Sequence, residues 1–145
     1  MPISVCTLDG WRTSMSFQYP LEVRFRDLDG LGHVNNAVYL TYFETLRLHF
    51  ALELLGVAHL AEVPFILGEI SVRFLKPVFF GDQLQGSVDV SRIGHKSFTM
   101  IYTIKRGNEI VTQGSTELIW FDYKTQRSVP IPDSFRQQVA SYQRA

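Results

Sequence analysis

The sequence predicts an α+β domain: one antiparallel sheet curled around one long central helix. Three observations predict it. Residues 36–55, NAVYLTYFETLRLHFALELL, hold no helix breaker and are apolar on nearly every side. Alternating segments separated by short turns fill residues 64–121. The chain has 145 residues, which suits one domain with one core, so those segments must supply what covers the helix.

Taken in order, residues 1–15 carry little periodicity. They are expected to be a loose N-terminal extension to a domain over 16–145, with Met15 as an alternative start. Residues 17–26, FQYPLEVRFR, alternate enough for a strand, with Leu21, Val23 and Phe25 on one face. Pro20 sets the start of that strand at an edge or before regular pairing. DLDGLGHV, residues 27–34, is rich in turn formers. Asn35 is the expected N-cap of the helix and Gly56 its C′ residue. About 20 helical residues span roughly 30 Å. Val38, Tyr42, Leu46, Leu52 and Leu55 share a sector, yet Leu40, Phe43, Phe50 and Leu54 lie elsewhere. Glu44 and Arg47 sit in a narrow polar stripe at a spacing that allows an ion pair. A helix apolar almost all round is a buried helix.

The covering segments follow. Ile70, Val72 and Phe74 alternate with Glu69, Ser71 and Arg73 within 64–78. Leu84, Val88 and Val90 share a face within 83–93, and Phe98, Met100, Tyr102 and Ile104 share one within 96–106. Gly107-Asn108 is a two-residue hairpin signal with Gly first, as a type II′ turn wants. Residues 109–121 form the last strand, in which Gly114 marks a bend. Residues 122–126 read as a turn and 132–143 as a short closing helix. Consecutive strands joined by short turns pair antiparallel.

Composition narrows the function classes. Lys+Arg and Asp+Glu both count 14, so the net charge is +0 and no basic excess points to nucleic acid. So little charge repulsion favours self-association. Cys6 stands alone and forms no internal disulfide, which fits a reducing compartment. No apolar run approaches the ~20 residues of a membrane span, and the N-terminus lacks a signal-peptide pattern. A cytoplasmic protein is expected. No His/Cys/Asp cluster has metal-ligand spacing, so no metal is expected.

The chemistry gathers in DLDGLGHVNN, residues 27–36. Asp27, Asp29 and His33 lie at the N-terminus of the predicted helix, where free N–H groups and the dipole favour negative charge. Such a place holds an oxyanion. A carboxylate beside it serves as general base or nucleophile toward a carbonyl carbon held on those N–H groups. Asp and Asn also gather at turns for structural reasons alone, so these residues admit a plain helix cap as well. Tyr39, Tyr42 and Phe43 on the helix are candidates to line an acyl channel, and equally plain core. His49 and His59 read as packing or surface residues.

RFRDLDGLGHVNNAVYLTYFE, residues 24–44, resembles the signature of hotdog-fold acyl-CoA thioesterases of the 4-hydroxybenzoyl-CoA thioesterase type. FLKPVFFGDQL (74–84), RIGHKSF (92–98) and WFDYKTQRSVPIP (120–132) are similar too, so the resemblance runs from about residue 17 to 140. It implies a hotdog fold with five strands around the central helix. It implies that Asp29 is the catalytic carboxylate, attacking the thioester or activating water, and that the Asn36 N–H polarises the carbonyl. Gly32 lets the backbone approach the acyl group, while Asp27, His33 and Asn35 support. Thiolate leaves readily, so no cofactor is implied beyond the coenzyme A of the substrate. Coenzyme A carries phosphates, which makes Arg92 and Lys96 candidates to bind it. Family members are dimers or tetramers with the site between protomers, so a homodimer or homotetramer is expected.

Three rival readings stand beside this one. An acyl-carrier-protein branch carries D-x-N-x-H-V-N-N, whose asparagine is Leu31 here. Hotdog hydratases carry D-x-N-P-x-H, which this sequence lacks. A scaffold that binds acyl groups without turnover is the third.

Overall fold

A computed structural model describes residues 3–6 and 13–143, with side chains described over 16–143. The chain order is β1 (Ile3–Cys6), β2 (Thr13–Glu22), α1 (Val38–Leu55), β3 (Phe65–Phe74), β4 (Gln83–Ile93), β5 (Ser97–Arg106), β6 (Glu109–Asp122), β7 (Arg127–Ser128) and α2 (Asp133–Val139). The sheet runs β1-β2-β4-β5-β6-β3, with β7 beside β6. Every pair is antiparallel. The five-stranded expectation covers the long strands β2 to β6, and the short β1 and β7 add to them. The N-terminal extension falls partly outside the described residues; within them, Ile3–Cys6 pairs with Thr13–Ser16.

Several boundaries differ from the sequence reading: β2 already starts at Thr13, with Pro20 inside it opposite Gln85, and β3 ends at Phe74 and not at 78. Two further differences have a local reason. β2 stops at Glu22 instead of reaching residue 26. The Asp27 carboxylate accepts the Arg24 N–H at 2.9 Å and winds Phe25–Asp27 into a 3-10 turn. Phe25 thereby leaves the face it would share with Leu21 and Val23 and stands 77% exposed. The helix begins at Val38, with Ala37 as its N-cap, and has 18 residues. Asn35 is therefore not the N-cap: it lies two residues ahead of Ala37, where its Oδ1 accepts the Ala37 N–H at 2.9 Å and closes the turn that leads into the helix. At the other end Gly56 takes φ 62, the left-handed conformation that ends helices on glycine. Gly107 likewise has φ 60 in the β5–β6 hairpin.

The helix is buried along one stripe, not all round. Tyr39, Tyr42, Phe43, Leu46, Arg47, Phe50 and Ala51 face the sheet, at the spacing of a single helical face. Leu40 and Glu44 are exposed, because a single sheet can cover only one side. Two glycines let the helix lie close. A Cβ on Gly86 would overlap Leu46, and one on Gly114 would overlap the Phe43 ring. Gly114 is therefore a contact point, and pairing on both sides of it runs without a register shift. The short α2 closes the C-terminal end of α1, where the Gln138 side chain donates to Leu54 O.

Arg47 sits in the buried stripe at 8% exposure and, among the described residues, makes no pair with Glu44. Its Nη1 donates to the Tyr102 hydroxyl at 3.4 Å. A buried cation without a carboxylate partner is costly, and apolar replacement at similar volume is often neutral or stabilising. Arg47→Met is expected to hold or raise the urea midpoint, by up to about 1 kcal/mol of stability. A fall of more than that would assign the guanidinium a stabilising role.

Candidate active site

Residues 27–36 form a tight excursion between β2 and α1. Leu28 bridges Val34 antiparallel. The Asp29 N–H donates to His33 O, and the Gly32 N–H donates to Asp29 O, both at 3.0 Å. Gly32 has φ 85, a conformation that favours glycine. The Asp29 Oδ1 accepts the Leu31 N–H at 2.8 Å and lies 4.0 Å from His33 Nδ1. Both side chains are partly exposed, at 26% and 31%. The excursion is pinned to the loop after β3 by the Val34 N–H, which donates to Val78 O at 2.8 Å.

Beside this excursion lies a cavity of about 210 Å³ lined by His33, Val34, Asn36, Tyr39 and residues 74–77. Asn36 occupies the turn just ahead of α1, and among the described residues its N–H has no acceptor. Asp29 does not line the cavity itself; its carboxylate is 4.0 Å from the ring of His33, which does. A larger cavity of about 590 Å³ lies between residues 20–23 and 80–85 and contains none of the loop residues.

The expected acyl-lining residues divide. Tyr39 reaches the cavity, where its ring packs edge-on against Phe74 with centroids 5.1 Å apart. Burial raises its hydroxyl pKa above the ordinary tyrosine range. Phe43 is fully buried and stacked on Tyr102 at 4.7 Å, so it is core. Tyr42 turns the other way and donates its hydroxyl to Asp27 Oδ2 at 2.8 Å. Burial, and then the Asp27 carboxylate, push that hydroxyl above its ordinary range, so it stays protonated.

Arg92 and Lys96 are not brought to the loop within one chain. The excursion follows the end of β2 that pairs with the start of β4, since Glu22 is opposite Gln83. Arg92 and Lys96 lie at the far end of β4, about 30 Å away at ~3.3 Å per strand residue. There the Arg92 Nη2 donates to Glu117 Oε1 at 2.7 Å. Lys76 lines the cavity, and sequence reasoning misses it; its place within the family-like segment FLKPV is the signal that could have found it.

A curled antiparallel sheet holding one long helix is a fold this chain shares with solved thioesterases. A family model, the Thioesterase-like superfamily, matches residues 23–139, and the chain belongs to that family. A 1,4-dihydroxy-2-naphthoyl-CoA hydrolase of Nostoc punctiforme is 30% identical over 135 residues, 90% of each chain. An acyl-acyl carrier protein thioesterase, chloroplastic, of Arabidopsis thaliana is 32% identical, over 99% of this chain and 78% of that one. Among solved structures, a thioesterase of Thermus thermophilus complexed with coenzyme A and Zn superposes with TM-score 0.77 and 32% identity, covering 84% of this chain and 95% of that one. Among the described residues of this chain, no group of three or more His, Cys, Asp or Glu could hold a metal ion. No described helix is long and apolar enough to cross a membrane.

Proposed function

We propose that this protein hydrolyses acyl-CoA thioesters to the free acid and coenzyme A, as a cytoplasmic enzyme of the 4-hydroxybenzoyl-CoA thioesterase type. One observation carries the reading: Asn36 lines a cavity while its N–H has no acceptor among the described residues. That donor receives the thioester oxygen as charge develops on it. Asp29, which does not line the cavity of a single chain, meets the carbonyl in the site that a second copy completes. There it takes a proton from an attacking water, or attacks the carbonyl itself to form an anhydride that water cleaves. Either way the C–S bond breaks and the thiolate departs with coenzyme A. Tyr39 and Phe74 flank the acyl group, and Gly32 holds the tight turn.

Two copies complete the site in this reading. β3 is an edge strand with an open side, and Phe74 marks its loop end while Phe65 lies opposite Trp120 at the far end. Antiparallel pairing of two such edges would reverse one copy. It would bring the Arg92–Lys96 turn of one copy to the loop end of the other, where coenzyme A phosphates need cations. The reading therefore includes a homodimer, alone or doubled to a tetramer.

Thiol release from a panel of acyl-CoA esters tests it. The panel starts from aromatic acyl groups, because the Nostoc relative is named for one. Turnover of at least one ester is expected. A preference for acyl carrier protein would favour the carrier-protein reading, and water addition to an enoyl-CoA without thiol release would overturn the assignment in favour of a hydratase.

A further inference from the structure

The proposed chemistry leaves the Asp27–Tyr42 pair unused, and that pair closes a ring of contacts around Asn36. Tyr42 lies on α1, is 5% exposed, and donates to Asp27 Oδ2 at 2.8 Å. The same oxygen accepts the Arg24 N–H at 2.9 Å. The Asp27 carbonyl accepts the Asn35 N–H at 2.9 Å. Asn35 in turn returns to the helix twice, its side chain accepting from Ala37 and its carbonyl from Val38, both at 2.9 Å. The path thus runs from Tyr42 to Asp27, to Asn35, and back to the first turn of the same helix. Asn36 lies inside this ring, and Asp29 begins only two residues beyond Asp27.

We infer that Tyr42 is a positioning residue: its hydroxyl, through Asp27 and Asn35, sets the Asn36 N–H against the Asp29 loop. Tyr42 and Asp27 line a space with Tyr19, Arg24 and His49 that is separate from the cavity at Asn36. Tyr42 is not among the residues that line the cavity at Asn36. Its effect is on alignment, and alignment errors of about 1 Å cost up to ~100-fold in rate. The role rests on the thioesterase reading, in which Asn36 and Asp29 do the chemistry.

Tyr42→Phe removes one oxygen and keeps the ring that packs against Tyr39 with centroids 5.8 Å apart. It is expected to lower kcat by about 10- to 100-fold with KM changed less than about threefold. Asp27→Ala is expected to cost a similar factor, and the double variant no more than the worse single, because one chain of contacts is cut twice. Asp27→Asn, which keeps an accepting oxygen, is expected to recover most of the rate and guards against an Asp27→Ala chain that fails to fold. Amide hydrogen exchange at Asn35 should speed up in Tyr42→Phe, a readout independent of turnover. A kcat unchanged in Tyr42→Phe, losses that multiply in the double variant, or unaltered Asn35 exchange would each overturn the inference. Asp29→Asn assayed alongside separates the two ideas: full activity there defeats the thioesterase assignment of Asp29, while Asn35 exchange still decides the role of Tyr42.

Discussion

Replacing Asp29 with asparagine is expected to lower kcat for acyl-CoA hydrolysis by about a thousandfold, within the range measured for loss of a general base. The fold should be untouched. Asparagine keeps an oxygen that can accept the Leu31 N–H, the bond that Asp29 Oδ1 makes at 2.8 Å. What it loses is the negative charge and the basicity. Steady-state thiol release, with circular dichroism and gel filtration as controls for folding, checks the outcome. Turnover within tenfold of the parent would remove Asp29 from the chemistry. His33→Gln belongs in the same experiment, because His33 lines the cavity and its Nδ1 is 4.0 Å from the Asp29 carboxylate. If His33→Gln falls as far as Asp29→Asn, the imidazole becomes the group that meets water and Asp29 the group that orients it.

The second large effect lies in the core. Gly114→Ala is expected to destabilise by about 2 kcal/mol, the cost of overpacking a well-filled site. The new methyl would overlap the Phe43 ring and sit 2.7 Å from the Ser71 carbonyl oxygen. Phe43→Leu in the same chain should recover part of the loss, since it removes the ring but not the crowding against backbone. Urea unfolding of the two singles and the double reads this directly. Full additivity would show that the helix does not rest on the sheet at that point.

The strands were the most legible feature, because alternation is a local signal and the core-facing positions of β4 and β5 repeat every second residue. The helix was legible in place and length to within two residues, but its buried face was not. Leucines on both sides of the wheel give no preferred direction, and only the sheet decides that Leu46 is inside and Leu40 outside. Phe25 is the reverse case: its alternation with Leu21 and Val23 is real, yet one carboxylate bond from Asp27 takes the chain out of the sheet. At the candidate site, the turn formers of residues 27–36 announced the bend into the helix. They did not announce that Tyr42 would reach back 15 residues to Asp27. Nor did they separate Tyr39, which meets the cavity, from Phe43, which meets Gly114.

By itself the sequence determined the class of fold, the order of its long elements, the hairpin at Gly107 and the family. All of these rest on patterns that span a few residues or on an ordered set of short motifs. The tertiary structure alone decided which helix face is buried, why Gly86 and Gly114 carry no side chain, and that Arg92 and Lys96 stand at the opposite end of the sheet from Asn36. Those are distances between segments far apart in the chain, set by how a curled sheet meets one helix, and no local pattern records them.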